Sequence, residues 1–161
     1  MKPDTPAQHL AAALGRIPSG IFVLTAADDG RETGMLASWV QQCSFRPPRV
    51  SIAVQGGREI VRRLAPGTRF ILNILESSQT DMVAHFGKGF APDEDAFAGL
   101  SVEREPGRGA VLAEALAFLE CEVVQRVPAG DHDLFIAEVR AGRLLDDGQP
   151  MVHIRKNGLH Y

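Results

Sequence analysis

The sequence predicts a mainly β protein, in which antiparallel strands form a small closed or split β-barrel with peripheral helices. About six or seven short segments are apolar and rich in β-branched residues, as buried strands are. The later segments follow one another through short turns, which favours antiparallel pairing with Greek-key-like connections. A doubly wound parallel sheet fits poorly, because the regular alternation of strand and helix fails after residue 100.

The first predicted element is a helix that starts at a capping box. Thr5 is the expected N-cap, Pro6 takes the first helical position, and Gln8 follows three residues after the cap. Gly15 is expected to end the helix. Its predicted apolar face consists of Leu10, Leu14 and Ile17.

A hairpin and a third strand are predicted next. Residues 21–26 form a buried strand, residues 28–30 a turn, and residues 33–40 the returning strand. A stretch rich in Ser and Gln then runs to Pro47-Pro48 and is expected to be a loop. The next strand is predicted over residues 50–54.

The remaining elements are predicted from the same signals. In chain order they are a short helix over 58–65, a strand over 69–75, a helix over 79–86, an irregular loop over 87–99, and strands over 116–127, 134–145 and 151–154. Ile60, Val61 and Leu64 should point inward from the first of these helices. Ser77 or Ser78 should cap the second.

Bulk composition indicates one globular domain over residues 1–161. The chain is 45% hydrophobic and 23% charged, and its net charge of −3 gives no reason to expect a nucleic-acid partner. The first residues lack the apolar core of a signal peptide, and no segment approaches the ~20 apolar residues of a membrane span. We therefore expect a cytoplasmic protein without a membrane partner, in which Cys43 and Cys121 are free thiols.

Common catalytic motifs are absent from the sequence. It contains no G-x-S-x-G, H-E-x-x-H or Walker A motif. Gly107-Arg-Gly109 begins like a dinucleotide fingerprint, but Leu112 stands where the third glycine should be. The five histidines show no ligand spacing, so no metal site is expected.

Several polar residues nevertheless interrupt apolar segments. Ser38, Gln41 and Ser44 could offer donors to an anion or a heterocycle, or could simply satisfy their own backbone. Arg58 follows Gly56-Gly57 at a predicted helix start, where a phosphate could bind; a solvated basic face formed with Arg62 and Arg63 is the alternative.

Asn73 and His132 also allow both a structural and a functional interpretation. Asn73 lies alone in an apolar strand, where it must find hydrogen-bond partners from either the protein or a ligand. His132 precedes a strand, and a turn histidine is often merely exposed.

The sequence resembles the flavin reductase-like domain family, whose fold is the FMN-binding split barrel. Within that family it most resembles the C-terminal flavin reductase module of multidomain flavodiiron proteins. The resemblance covers nearly the whole chain from about Leu14 onward. The matching segments are Gly34-Met-Leu-Ala-Ser-Trp-Val, Ser44-Phe45, Pro47-Pro48, residues 70–75, His85-Phe86, residues 119–121, Gly130-Asp-His132 and residues 155–161.

This resemblance implies an NAD(P)H-dependent flavin reductase that binds FMN, with FAD also compatible. Hydride would pass from NADH or NADPH to flavin N5, and electrons would pass on to free flavin or a separate redox protein. The family is usually homodimeric. His132 is implied in positioning the nicotinamide, with general-acid help to N5 as a further role. The implied flavin contacts are Leu36, Ala37, Ser38, Trp39, Val40, Gln41, Ser44, Phe45, Gly57, Arg58, Asn73, Phe86, Gly87 and Lys88.

Two other functions fit the same resemblance. A flavoredoxin-like carrier would hold FMN without efficient NAD(P)H turnover, its flavin face being covered near His132 and Tyr161. A binding module without turnover would respond to flavin, or hold haem through His85 or His132. The sequence matches only one module of the flavodiiron proteins, so a diiron partner would be a separate chain.

Overall fold

The computed structural model describes residues 4–160; Tyr161 lies outside the described residues. Its helices are α1 (Pro6–Gly15) and α2 (Thr80–Gly87), with a 3₁₀ turn at Glu59–Arg63. The strands are β1 (Ser19–Gly20), β2 (Phe22–Asp28), β3 (Arg31–Ala37), β4 (Val40–Phe45), β5 (Pro48–Gln55), β6 (Arg69–Ile74), β7 (Val102–Glu103), β8 (Val111–Leu112), β9 (Ala117–Ala129), β10 (His132–Leu144) and β11 (Val152–His153).

Seven of these strands form one antiparallel sheet in the order β3-β2-β6-β9-β10-β5-β4. Two small sheets pair β1 with β11 and β7 with β8. The predicted mainly β, antiparallel class is therefore confirmed. Across residues 4–160, no helix is long and apolar enough to cross a membrane.

The β2–β3 hairpin is closed by the predicted turn. Asp28 lies opposite Arg31, and the two residues between them, Asp29 and Gly30, have φ angles of 43° and 76°. Positive φ at both central positions matches the twist of a two-residue hairpin, and it explains a glycine there. The strand ends at Ala37, however, and the prediction that it continues to Val40 was wrong.

The segment expected to be a polar loop is instead the edge strand β4. It pairs with β5 on one side only, and most of its residues are exposed. An edge strand need not carry an apolar face, so its polar composition conceals it from a pattern search.

Helix α1 has the predicted capping box but not the predicted apolar face. Thr5 Oγ1 accepts from the Gln8 backbone N–H, and the Gln8 side chain accepts from Thr5 N–H. Leu10 and Ile17 are 56% and 62% exposed, so that part of the prediction was wrong. The helix contacts the C-terminal segment through small residues instead: Gly158 N–H donates to Ala11 O at 2.7 Å.

The start of α2 also differs from the prediction. Gln79 occupies the N-cap but makes no side-chain capping bond to the helix, while the Ser77 and Ser78 hydroxyls donate to the Glu76 carboxylate. These bonds and the Ser78 backbone N–H stabilise the carboxylate and lower the pKa of Glu76 to about 2.

The core lies in two main clusters. One lies against the main sheet around Phe70, Phe135 and Ile52. Ile60, Val61 and Leu64, which were predicted to point inward from a helix over 58–65, are buried in this cluster. The other packs Phe86 of α2 and Phe97 of the following loop outside β2 and β3. Gly34 allows this approach, because a Cβ there would lie 2.6 Å from a ring carbon of Phe86.

Candidate functional site

Two adjoining cavities lie where β3, β5, α2 and β11 meet. The first has a volume of about 320 Å³ and a largely apolar wall. The second has a volume of about 460 Å³ and a more polar wall. Met35 and Arg58 line both, so the two cavities share a boundary. An apolar cleft joined to a polar one suits a ligand with a flat apolar part and an anionic tail.

Arg58 is the cation at the shared boundary. It immediately precedes the 3₁₀ turn, and its Nη2 donates only a long bond, 3.5 Å, to Gln55 Oε1. Within residues 4–160 it forms no ion pair. An arginine without a carboxylate partner, beside a cavity, can bind a phosphate through its planar set of donors.

The neighbouring arginines, Arg62 and Arg63, lie close to carboxylates of the protein. Arg62 is 81% exposed at its side chain and lies 3.7 Å from Glu59, while Arg63 is buried and paired with Glu59 and Asp28. The helix that the sequence predicts here is a 3₁₀ turn beginning after Arg58, so Arg58 and Arg62 do not share a regular α-helical face.

Lys88 lines the second cavity together with Gly57 and Gly89. Its ammonium lies 3.1 Å from Glu94 Oε1 and 4.8 Å from the Phe90 ring centroid. This ion pair and the hydrogen bond from Ala91 N–H to Glu94 Oε2, at 3.2 Å, hold the loop after α2 together, and both lower the pKa of Glu94.

Part of the predicted contact set lines these cavities. Leu36, Ala37, Ser38, Phe86 and Gly87 line the first, Gly57 and Lys88 the second, and Arg58 both. The sequence analysis missed Met35, Gln55, Met151 and His153. These residues come from three separate strands and the approach to β11. Met35 lies within the matching segment 34–40, whereas no local motif marks the other three.

Trp39 and His132 form a ring pair beside the first cavity. Their ring centroids are 4.6 Å apart with a tilt of 34°, and the Arg155 guanidinium lies 4.9 Å from the Trp39 ring. Neither ring lines the cavity directly. Trp39 follows the cavity residue Ser38 in sequence, and His132 is the cross-strand partner of the cavity residue Gln55.

Four predicted contacts, all on β4, are not among the residues that line either cavity. Val40 packs against the sheet core, whereas Gln41 is exposed and Phe45 is 85% exposed. Ser44 pairs with Arg49 near the outer end of the strand. This segment folds as an edge strand paired with β5, and its side chains do not form part of either cavity wall.

Asn73 is fully buried in β6, where it serves the structure of the sheet. Its Nδ2 donates to Val23 O and Ala110 O, both at 3.2 Å, and its Oδ1 accepts from Leu112 N–H at 2.9 Å. The amide therefore ties a central strand to the loop before β8. This arrangement supports the structural interpretation of Asn73, whose contact with a flavin stays a prediction.

The two cysteines and His85 are not among the residues that line the cavities. Cys43 is exposed and Cys121 is buried, and both are free, as predicted. Burial raises the pKa of Cys121 to about 12, so this thiol stays protonated. His85 Nε2 lies 2.8 Å from Ala96 O, so that nitrogen is engaged by the protein. No cluster of three potential metal ligands occurs in residues 4–160.

Comparison with known proteins gives the family. Residues 14–158 match the flavin reductase like domain. The chain is 40% identical over 154 residues to Diflavin flavoprotein A 1 of Synechocystis sp., covering 94% of this chain but only 27% of that relative.

Solved structures of similar proteins support the same family. The Streptomyces globisporus NADH:FAD oxidoreductase SgcE6 is 26% identical with a TM-score of 0.84, over 96% of this chain and 93% of its own. The same oxidoreductase is also known in complex with NAD and FAD fragments. The styrene monooxygenase flavin reductase of Pseudomonas putida is 31% identical with a TM-score of 0.75, over 89% of this chain and 90% of its own. The chain thus has the split-barrel fold and belongs to the flavin reductase-like domain family.

Proposed function

We propose that this chain is an NAD(P)H:flavin oxidoreductase that holds FMN across the two adjoining cavities. One observation carries the proposal: an apolar cavity opens onto a polar one at Arg58, a cation without an ion pair in the described residues. The apolar wall suits the isoalloxazine ring, and Arg58 with Gly57 and Lys88 suits the phosphate.

The residues present fit a flavin in a second respect. The wall combines Met35, Val83, Phe86 and Met151 with the small residues Ala37 and Ala53, which leave space for a flat ring. Ser38 and Gln55 add a few polar groups at the edge. Such a wall can orient the flavin ring without placing a strong charge next to it.

Bound flavin would supply the hydride acceptor and the electrons for a later acceptor. The chain's own part is to bind the flavin, exclude water from the apolar cavity, and hold His132 beside it for the nicotinamide. Proteins of the same family support this division of roles, since one of them binds NAD and FAD fragments. We propose free flavin or a separate redox protein as the acceptor.

We also propose that residues 1–161 form a single domain. We further propose that two copies of the chain associate as a homodimer beside the cavity. Val152 lines the first cavity although it is 64% exposed, and Ile17 and Ile154 near the β1–β11 sheet are exposed as well. A second copy would cover these apolar side chains. Sedimentation velocity, with and without FMN, tests whether the protein is a dimer.

An anaerobic absorbance spectrum tests the function. We expect purified protein supplied with FMN to show a band near about 450 nm that bleaches when NADH or NADPH is added. A flavin-loaded protein that stays oxidised with both nucleotides would indicate an electron carrier. A protein that takes up neither FMN nor FAD would contradict the proposal and leave only the fold in common with the family.

Replacing Arg58 with alanine should weaken FMN binding about 10- to 100-fold. A hydrogen bond to a charged group contributes about 1.5–3 kcal/mol, and each 1.4 kcal/mol is tenfold in affinity. Titration of the protein with FMN, followed by fluorescence, measures the change.

Riboflavin and Arg62 supply the controls for this prediction. Riboflavin lacks the phosphate, so its affinity should be nearly the same for wild type and R58A. Arg62→Ala removes an exposed arginine four positions away and should change FMN affinity less than about threefold. Equal loss of FMN and riboflavin affinity in R58A would show that Arg58 does not hold the phosphate.

A further inference from the structure

The loop after α2 places a carboxylate against a cation that lines the second cavity. Lys88 Nζ lies 3.1 Å from Glu94 Oε1, and among residues 4–160 Glu94 is the only carboxylate within ion-pair distance of this ammonium. The ammonium also lies 4.8 Å from the ring centroid of Phe90, which lines the same cavity. The paired charges therefore lie at the wall of the second cavity.

A backbone contact keeps the Glu94 carboxylate in this place. Its Oε2 accepts from Ala91 N–H at 3.2 Å, and Ala91 is itself a residue of the cavity wall. The hydrogen bonds from Lys88 and from Ala91 lower the pKa of Glu94, so the carboxylate is ionised at neutral pH. A carboxylate held by a backbone N–H does not turn freely away when an anion enters. The second cavity thus has a fixed negative charge beside its lysine.

The same loop lies close to Arg58. A Cβ on Gly89 would lie 3.8 Å from Arg58 Nη1, so the backbone of the loop approaches the guanidinium. Glu59, a carboxylate that lines the second cavity, is paired with the buried Arg63 at 2.7 Å, and this arginine does not line the cavity. Glu94 differs from Glu59 because its partner is a lysine of the cavity wall, which is a group that a bound phosphate would use.

We propose that Glu94 competes with the phosphate of the flavin for Lys88, and thereby weakens the binding of FMN relative to riboflavin. This inference rests on the proposed function for its ligand. Without flavin, Glu94 neutralises the lysine; a bound phosphate must share the lysine and is repelled by the carboxylate. Weaker binding allows the flavin to exchange, which suits a protein whose electron acceptor is free flavin.

Replacing Glu94 with glutamine should tighten FMN binding about three- to fivefold at a low ionic strength of about 0.01 M. The effect is moderate because the pair is partly screened by solvent: the Lys88 side chain is 54% exposed and that of Glu94 is 43% exposed. The glutamine oxygen still accepts from Ala91 N–H, so the loop is retained. Titration followed by flavin fluorescence measures the dissociation constants of FMN and of riboflavin. Riboflavin, which lacks the phosphate, should bind equally to wild type and Glu94→Gln.

Asp93→Asn is the matched control. Asp93 precedes Glu94 in the same exposed loop, and its side chain has no ion pair or hydrogen bond among residues 4–160. Its substitution also removes one negative charge, but it should change FMN affinity by less than about 1.5-fold. The gain in Glu94→Gln should shrink in about 1 M salt, where exposed charges are screened beyond about 3 Å.

Four outcomes overturn the proposal. They are an unchanged or weaker FMN affinity in Glu94→Gln, an equal gain in Asp93→Asn, an equal gain for riboflavin, and a gain that persists undiminished in high salt. If wild type binds FMN and Arg58→Ala weakens this binding, these outcomes overturn only the role of Glu94. If neither flavin binds to wild type or to any variant, the proposed function is overturned together with this inference.

Discussion

Replacing Gly109 with alanine should prevent the chain from reaching a stable fold. A Cβ at this position would lie 1.9 Å from Thr25 O and 2.2 Å from Thr25 C, both backbone atoms of β2. Thr25 is fully buried in the main sheet, and its hydroxyl donates to Ala110 O at 2.6 Å. Neither segment can move without breaking these contacts. We expect a loss of at least about 4 kcal/mol, which is a large part of the roughly 5–15 kcal/mol that stabilises an ordinary domain.

The recovery of soluble protein and its urea unfolding curve measure this effect. Gly56→Ala is the control, because a Cβ there would lie 3.5 Å from its nearest neighbour, Asp131 O, at ordinary contact distance. Gly56→Ala should therefore fold with a midpoint close to wild type. A Gly109→Ala protein with a wild-type midpoint would show that the segment before β8 does not pack against β2 as described.

Replacing Glu120 with alanine should destabilise the fold by about 3 kcal/mol. The Glu120 carboxylate is buried on β9, where it accepts from Arg108 Nη1 at 2.9 Å and also contacts Arg69 Nη2. The Arg108 side chain is 6% exposed and, among residues 4–160, would keep only Glu105 as a carboxylate partner. A buried cation that loses its main partner retains the cost of desolvation, which is the reason for the large effect.

Urea unfolding, followed by the fluorescence of Trp39, the single tryptophan, measures this loss. Glu103→Ala is the control: its pair with Arg143 lies 3.3 Å apart, and both side chains are more than half exposed. Removing that exposed pair should change stability by less than about 1 kcal/mol. Equal midpoints for the Glu120 and Glu103 variants would mean that Arg108 is not held mainly by Glu120.

Local sequence signals predicted most of the elements correctly. The capping box of α1, the Asp29–Gly30 turn and the buried strands around residues 50–54 and 69–75 each depend on neighbouring residues, so a short window contains the necessary information. The failures share a cause. β4 is a polar edge strand and α1 packs through alanine and glycine, and in both cases the partner element decides the structure rather than the residues' own hydrophobicity.

The candidate site was predicted only in part, for the same reason. The resemblance to the family pointed to Ser38, Arg58 and His132 because they belong to recognisable segments. It also pointed to Phe45 and Asn73, which the fold directs outward and into the sheet respectively. No local pattern separates an asparagine that ties two strands together from one that contacts a ligand, because both lie in apolar strands.

By itself, the sequence determined the antiparallel class, the order of most elements and the family, because periodicity, turn residues and motif spacing are local properties. The tertiary structure alone decided that Met35, Gln55, Met151 and His153 share a cavity with Arg58. It also decided that His132 lies opposite Gln55 in the sheet. The cavity contacts and the pairing of His132 with Gln55 join residues that are distant in the chain, and strand register, which depends on the packing of the whole sheet, brings them together.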